Sequence, residues 1–211
     1  MPLQPPSPSL SNPMIVEQLM LKRQPGLALE PRSELQLDPV TGIEGAQRAA
    51  PLRHVLLVER ESLLRLGLRP GDLRENAVLS GARLYGLPSG TMLRMGTAEL
   101  RLTFHCEPCA RVTALASAKA LLHQRGYLAS VTATGTVRIG DAVQVLEARQ
   151  AQIPYATRDR IAWYLQDRDA PIDALELLWQ VGLPRAYARA LPALLRRIGG
   201  SAAGKVRFRT R

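Results

Sequence analysis

A short loop with two cysteines holds the residues of this sequence that are best suited to chemistry. Cys106 and Cys109 enclose Glu107 and Pro108, directly after a predicted strand and directly before a predicted helix. Pro108 suits the first turn of a helix, so Cys109 is expected near the helix N-terminus. There the unpaired backbone N–H groups, the helix dipole and the positive charge of Arg111 stabilise a thiolate. The spacing therefore predicts that Cys109 is a nucleophile, a sulfur carrier or a ligand for a soft metal.

Three other interpretations of this cysteine pair stay open. A structural zinc site needs four ligands, and the chain offers one Cys-x-x-Cys pair with His105 adjacent and His54 and His123 elsewhere. A thioredoxin-like dithiol has the same local order of strand, pair and helix, although no βαβ unit precedes it. Two small buried thiols without any chemistry are the third interpretation.

Composition narrows the class of protein. The chain has 211 residues, of which 46% are hydrophobic and 22% charged, and these globular values exclude wholesale disorder. No apolar stretch reaches the length of a membrane span, and the N-terminus lacks the pattern of a secretion signal. Two cysteines this close together are too few for an extracellular disulfide scaffold. We therefore expect a cytoplasmic protein with no membrane partner.

Short strands separated by turns are predicted for residues 14–150. Two helices are expected among them, at residues 59–66, ended by Gly67, and at residues 111–125, ended by Gly126. Many short strands with few crossover helices predict a barrel-like β domain rather than a doubly wound sheet. From apolar runs and alternation, the strands are expected at residues 14–21, 34–38, 55–58, 91–95, 98–104, 127–133 and 137–147, with turns at Gly96-Thr97, Gly135 and Gly140-Asp141.

The pattern changes near Ile153-Pro154, where helical periodicity replaces alternation. Pro192 should kink the last of three helical segments, unless the helix breaks there. The three segments are residues 156–167, 172–181 and 184–198.

The predicted fold class is therefore mainly β, with a small C-terminal all-α domain. The β domain, a barrel with short helices, occupies residues 14–150, and the helical domain occupies residues 151–200. Residues 1–13 are rich in Pro and Ser and are expected to be a disordered tail, and residues 201–211 a basic tail.

Five short motifs occur in order between residues 42 and 143. They are Gly42-Ile43-Glu44-Gly45, Leu68-Arg69-Pro70-Gly71-Asp72-Leu73-Arg74-Glu75-Asn76, Met95-Gly96-Thr97-Ala98-Glu99-Leu100, Pro108-Cys109 and Gly135-Thr136-Val137-Arg138-Ile139-Gly140-Asp141-Ala142-Val143. Each motif alone is weak, but their order resembles the MOSC domain, the C-terminal domain of molybdenum-cofactor sulfurases that also occurs alone in bacteria. The resemblance covers residues 14–146.

The resemblance implies a β-barrel with a site around Cys109, which aligns with the family cysteine proposed to bind molybdenum or carry sulfur. Glu75 and Asn76 align with a pair in the same pocket, where Glu75 would move protons and Asn76 would orient the ligand. A turn or helix-cap role for these two residues stays open. The implied cofactor is the molybdenum cofactor, with pyridoxal phosphate by family association only. The implied protein is a molybdenum-dependent oxidoreductase or a sulfur-transfer protein, with a redox or sulfur-donor partner.

One motif departs from the family pattern. Where the family continues Gly-Asp-x-His, this chain has Gly45-Ala46-Gln47-Arg48. The family's acidic residue and imidazole are absent, so an arginine is expected to face a small anionic ligand instead. The departure favours an alternative function, a nucleic-acid-binding regulator whose β domain has lost its chemistry. The residues expected to bind the cofactor or its anionic groups are Asn76, Arg48, Arg53, Arg111 and Cys106.

Positive charge is concentrated toward the C-terminus. The net charge is +10, and residues 151–211 contain 11 basic and 5 acidic residues. Gly182 and Pro184 give this region helix-turn-helix spacing, and it faintly resembles the DNA-binding part of alkylguanine-DNA alkyltransferases. The reactive Pro-Cys-His-Arg motif of that family is absent, so alkyl transfer is not expected, and a plain packing or dimerisation module is the alternative. The candidate nucleic-acid contacts are Arg185, Arg189, Arg196 and Arg197.

Overall fold

A computed structural model describes residues 13–81, 83–200 and 202–208. The predicted N-terminal tail, apart from residue 13, lies outside the described residues. The same is true of residues 201 and 209–211 of the predicted basic tail.

Strands dominate the first 150 residues. The eleven strands described there are β1 (Met14–Leu21), β2 (Glu30–Arg32), β3 (Glu34–Asp38), β4 (Gly42–Ile43), β5 (Val55–Glu59), β6 (Ala77–Ser80), β7 (Thr91–Met95), β8 (Ala98–His105), β9 (Tyr127–Ala133), β10 (Gly135–Arg138) and β11 (Ala142–Arg149). The short helices α1 (Arg60–Leu66), α2 (Ala110–Thr113) and α3 (Ala118–Leu121) lie between them, with 3-10 turns at Pro51–Arg53 and Leu84–Gly86.

Seven of these strands close into a barrel. Their order is β11-β7-β8-β9-β5-β6-β1, and the barrel closes because β1 also pairs with β11. The neighbouring strands are antiparallel except for β5 and β6. Alternation places Val16, Leu57, Leu93 and Leu100 in one buried core. The small sheet β10-β3-β4 contributes Leu35 and other apolar residues to the same core. The mainly β fold class is therefore confirmed.

The predicted helix over residues 111–125 is wrong. The segment forms two single turns, α2 and α3, and the Ser117 hydroxyl begins the second by accepting a hydrogen bond from the Ala120 N–H. Gly126 does not end a helix. Its φ of +117° lets the backbone pass so close to β5 that a Cβ atom there would lie 2.7 Å from the Leu57 carbonyl oxygen.

The C-terminal residues form a second unit with its own core. Its helices are α4 (Thr157–Gln166), α5 (Ala174–Gln180) and α6 (Leu191–Ile198), with 3-10 turns at Arg185–Arg189 and Ala202–Lys205. Ile161, Leu178 and Leu195 are among the residues of this core. The predicted third helix breaks before Pro192, as its sequence allowed, and Pro192 lies in the first turn of α6. The two-residue strands β12 (Ile172–Asp173) and β13 (Val206–Arg207) pair in parallel, so the unit is not strictly all-α.

Helix length also bears on membrane insertion. Within the described ranges, no helix is both long and apolar enough to cross a bilayer.

Candidate functional site

A cavity of about 410 Å³ lies between the barrel and the C-terminal helical unit. We call it the interdomain cavity. Among the described residues that line it none is acidic, so its charged side chains are all basic. Its lining includes four basic side chains, an amide and an indole, on Lys22, Arg48, Arg53, Asn76, Trp179 and Arg185. The barrel supplies the first four, and the helical unit supplies Trp179 and Arg185.

Arg53 is the most firmly held of these cations. It ends the 3-10 turn that leads into β5, and its Nη1 donates to Glu107 Oε2 at 2.9 Å and to the Gly182 carbonyl oxygen at 3.1 Å. Its Nη2 lies 3.5 Å from Cys106 Sγ. Gly182 has a φ of +68°, and a Cβ atom there would lie 3.0 Å from Arg53 Cδ. The helical unit can approach Arg53 this closely because residue 182 is glycine.

Glu107 joins the cysteine loop to both units, a role that the sequence did not reveal. Its Oε1 accepts a hydrogen bond from Arg160 Nη2 at 2.9 Å, while its Oε2 pairs with Arg53. Arg160 is 0% exposed, and its guanidinium lies 3.7 Å from the centroid of the Phe104 ring. Burial raises the pKa of Glu107, but Arg53 and Arg160 outweigh burial and hold it below its usual range.

The two cysteines differ in their exposure to solvent. Cys106 is 2% exposed, and burial raises the pKa of its thiol against the opposing effect of Arg53. Cys109 is exposed and directly precedes α2, so its predicted position at a helix N-terminus is confirmed. Neither thiol lines the interdomain cavity. The exposed Arg111 lies in the single turn of α2 and is also outside the cavity lining.

We expect iodoacetamide to alkylate Cys109 much faster than Cys106 in the folded protein. An exposed sulfur is accessible to the reagent, whereas the Cys106 thiol is buried and its raised pKa keeps it protonated. Mass spectrometry of a time course assigns each modified site, and unfolding in urea serves as the control because it should make the two rates similar. Equal rates in the folded protein would contradict the burial of Cys106.

Glu75 and Asn76 are both buried, with different contacts. Glu75 Oε1 accepts a hydrogen bond from the Gly71 N–H, and burial raises the pKa of this carboxyl. Glu75 does not line the cavity. Asn76 does, but its amide also bridges two strands. Its Oδ1 accepts from the Leu56 N–H at 3.0 Å and its Nδ2 donates to the Met20 carbonyl oxygen at 3.3 Å.

The departure from the family motif falls on the cavity wall. Ala46, Gln47 and Arg48 all line it, and the Arg48 guanidinium lies 5.3 Å from the centroid of the Trp179 ring. The structure therefore places Arg48, Arg53 and Asn76, three of the residues expected to bind the cofactor or its anionic groups, on the wall of one cavity. Four other predicted site residues, Cys106, Cys109, Glu75 and Arg111, lie outside the cavity lining.

The three histidines do not converge on the cysteines. His54 lines the cavity and accepts a hydrogen bond from the Val131 N–H at 3.2 Å, and burial lowers its pKa. His105 and His123 meet elsewhere, with their Nδ1 atoms 2.7 Å apart. In the described part of the chain, no group of three or more His, Cys, Asp or Glu side chains is placed to hold a metal ion.

Of the four candidate nucleic-acid contacts, only Arg185 reaches the cavity. The segment Arg185–Arg189 is a 3-10 turn rather than the start of a second long helix. The predicted second helix of the helix-turn-helix, beginning at Pro184, is therefore wrong. Arg189, Arg196 and Arg197 are exposed and lie outside the cavity lining.

The fold and the cavity define a class of protein, a closed β-barrel whose basic pocket is completed by a helical extension. Residues 46–144 match the family model of the MOSC domain. No curated protein matches the chain.

Solved structures share this fold. The YuaD protein of Bacillus subtilis is 20% identical with a TM-score of 0.55, over 63% of this chain and 95% of that one. YiiM of Escherichia coli is 23% identical with a TM-score of 0.50, over 90% of this chain and 98% of that one. YiiM of Geobacillus stearothermophilus is 14% identical with a TM-score of 0.55, over 89% of this chain and 100% of that one. The coverage of the two YiiM structures is too large to be confined to the barrel, so their fold likeness includes residues of the helical unit.

Proposed function

We propose that the interdomain cavity binds a small phosphate-bearing ligand, and that the MOSC domain makes the molybdenum cofactor, a phosphorylated pterin, the favoured candidate. The observation that carries this proposal is the set of four basic side chains in a cavity without an acidic one. Guanidinium groups form paired, charge-assisted hydrogen bonds with phosphate oxygens. The anchors are Arg48, Arg53 and Arg185, with Lys22 as a further positive charge.

The donor set fits the phosphate of such a cofactor better than its metal. Molybdenum calls for a soft thiolate, and neither Cys106 nor Cys109 lines the cavity. The exposure of Cys109 supports a sulfur-carrier role, in which its thiolate attacks the outer sulfur of a cysteine persulfide on a donor protein, takes over that sulfur as its own persulfide and releases the donor cysteine as a thiolate. Pyridoxal phosphate would present the same phosphate to the same arginines.

Replacing Arg185 with glutamine is expected to weaken the binding of inorganic pyrophosphate roughly tenfold, the loss typical of one charge-assisted hydrogen bond. Isothermal titration calorimetry at low salt measures the affinity. Arg189→Gln is the matched control, because Arg189 lies in the same 3-10 turn but outside the cavity, and its affinity should be unchanged. The proposal fails if pyrophosphate does not bind saturably, or if the two variants lose affinity equally.

The natural ligand is identified by metal and cofactor analysis of protein purified from a molybdenum-replete host. Molybdenum together with a phosphorylated pterin is the expected result. A protein that binds pyrophosphate but contains neither of them would assign the cavity to another phosphate-bearing ligand.

Polyanion binding by the helical unit is a second candidate function. The observation that favours it is that Arg189, Arg196 and Arg197 are exposed and make no ion pair within the described part of the chain. A titration with duplex DNA in place of pyrophosphate distinguishes the two functions. DNA binding should fall steeply with salt and should be weakened by Arg189→Gln, which leaves pyrophosphate binding unaffected.

A further inference from the structure

Lys22 is an unusual residue for this chain. Only three of the 28 basic residues are lysines, at positions 22, 119 and 205, and Lys22 alone among them lines the interdomain cavity. It directly follows β1, and its carbonyl oxygen accepts a hydrogen bond from the Gln47 N–H at 2.6 Å, which fixes its backbone to the cavity wall. Within the described part of the chain, its ammonium group makes no hydrogen bond or ion pair, so it is available to a ligand.

The surroundings of Lys22 favour its neutral amine. Burial lowers the pKa of Lys22, and the positive charges of Arg74, Arg125 and Arg53 lower it further, against the opposing effect of Cys106. A neutral amine is the nucleophilic form of lysine, and desolvation beside other cations is the usual means of obtaining it near neutral pH. The cavity thus combines an accessible amine with arginines that bind anions.

We propose that Lys22 forms an imine with an aldehyde or ketone that carries a phosphate group and is bound in the interdomain cavity. This inference rests on the proposed phosphate binding and adds a covalent step to it. It also selects a ligand with an aldehyde or ketone group in place of the molybdenum cofactor, whose pterin has neither. Arg48, Arg53 and Arg185 would hold the anionic group and so concentrate the carbonyl carbon beside the amine.

The step is balanced without any oxidant or reductant. The lone pair of Lys22 Nζ attacks the carbonyl carbon, and the carbonyl oxygen takes up a proton to give a carbinolamine. Loss of water from the carbinolamine leaves a C=N bond to Nζ, and hydrolysis reverses the sequence. The net change is one water molecule released for each imine formed.

The test uses glycolaldehyde phosphate as the charged probe and glycolaldehyde as its neutral counterpart. Sodium cyanoborohydride reduces any imine to a stable secondary amine, and peptide mass spectrometry then reports the modified lysine. With the charged probe, we expect Lys22 to be modified roughly tenfold faster than Lys119 or Lys205, because binding raises the local concentration of the carbonyl. With the neutral probe, this preference should be lost.

Two controls separate the amine from the anion site. Inorganic phosphate should suppress the modification of Lys22 without affecting Lys119, and Lys22→Arg should abolish the main product whereas Lys119→Arg should not. Equal labelling of the three lysines by the charged probe, in a protein that still binds pyrophosphate, would overturn the imine and leave the proposed function intact. Equal preference for Lys22 with both probes would overturn the phosphate-bearing class of ligand. Absence of pyrophosphate binding would instead overturn the proposed function itself.

Discussion

Replacing Glu107 with glutamine is expected to lower the free energy of unfolding by about 3 kcal/mol, the lower end of the cost of breaking a buried ion pair. The carboxylate lies between two guanidinium groups, and one of them, on Arg160, is completely buried. A neutral amide retains a hydrogen-bond acceptor but leaves both positive charges uncompensated. Urea denaturation followed by circular dichroism measures the change.

A double substitution of Glu107 and its buried partner Arg160 provides the control. Arg160→Met keeps much of the contact with Phe104 but removes the buried charge, so adding it to Glu107→Gln should cost less than the sum of the two single changes. Additive losses, or a Glu107→Gln variant within 0.5 kcal/mol of the parent protein, would contradict the role given to this carboxylate.

The same ion pair predicts a dependence on pH. The folded-state pKa of Glu107 lies below the ordinary value of 4.5, so its contribution is complete at higher pH and is lost as the pH falls through the folded-state pKa. The unfolding free energy of Glu107→Gln should therefore decline less steeply below pH 4.5 than that of the parent protein.

Local elements of the barrel were predictable because each has its own short-range signal. Alternation marks β3, and a glycine that adopts a φ of +65° ends α1 at residue 67. The segment 111–125 shows the limit of such signals. Its Ala and Leu residues favour a helix, but its buried residues Val112 and Leu121 are nine positions apart. At about 100° per residue a continuous helix would place them on opposite faces, and breaking the helix allows both to be buried.

The candidate site was predictable only in part because its contacts are distant in sequence. The family motifs lead to Asn76, and the departure from one of them leads to Arg48 and Arg53; all three residues line one cavity. No local pattern relates Arg53 to Glu107, which is 54 positions away, or to Gly182, which is 129 positions away. The contribution of the helical unit to the cavity therefore becomes visible only when the two units are packed together. The domain boundary near residue 151 stays a prediction.

Replacing Asn76 tests whether this residue, which matches the family motif, binds the ligand or stabilises the fold. Asn76→Leu is expected to lower the free energy of unfolding by about 2–4 kcal/mol, because it leaves two buried main-chain groups, the Leu56 N–H and the Met20 carbonyl, without their side-chain partner. Urea denaturation measures this loss. Gln47→Leu is the matched control, since Gln47 is a second amide on the cavity wall but is exposed and makes no side-chain hydrogen bond within the described residues. We expect it to change stability by less than about 0.5 kcal/mol. If Asn76→Leu keeps the stability of the parent protein while pyrophosphate affinity falls, the amide acts on the ligand and its bridge between β1 and β5 contributes little.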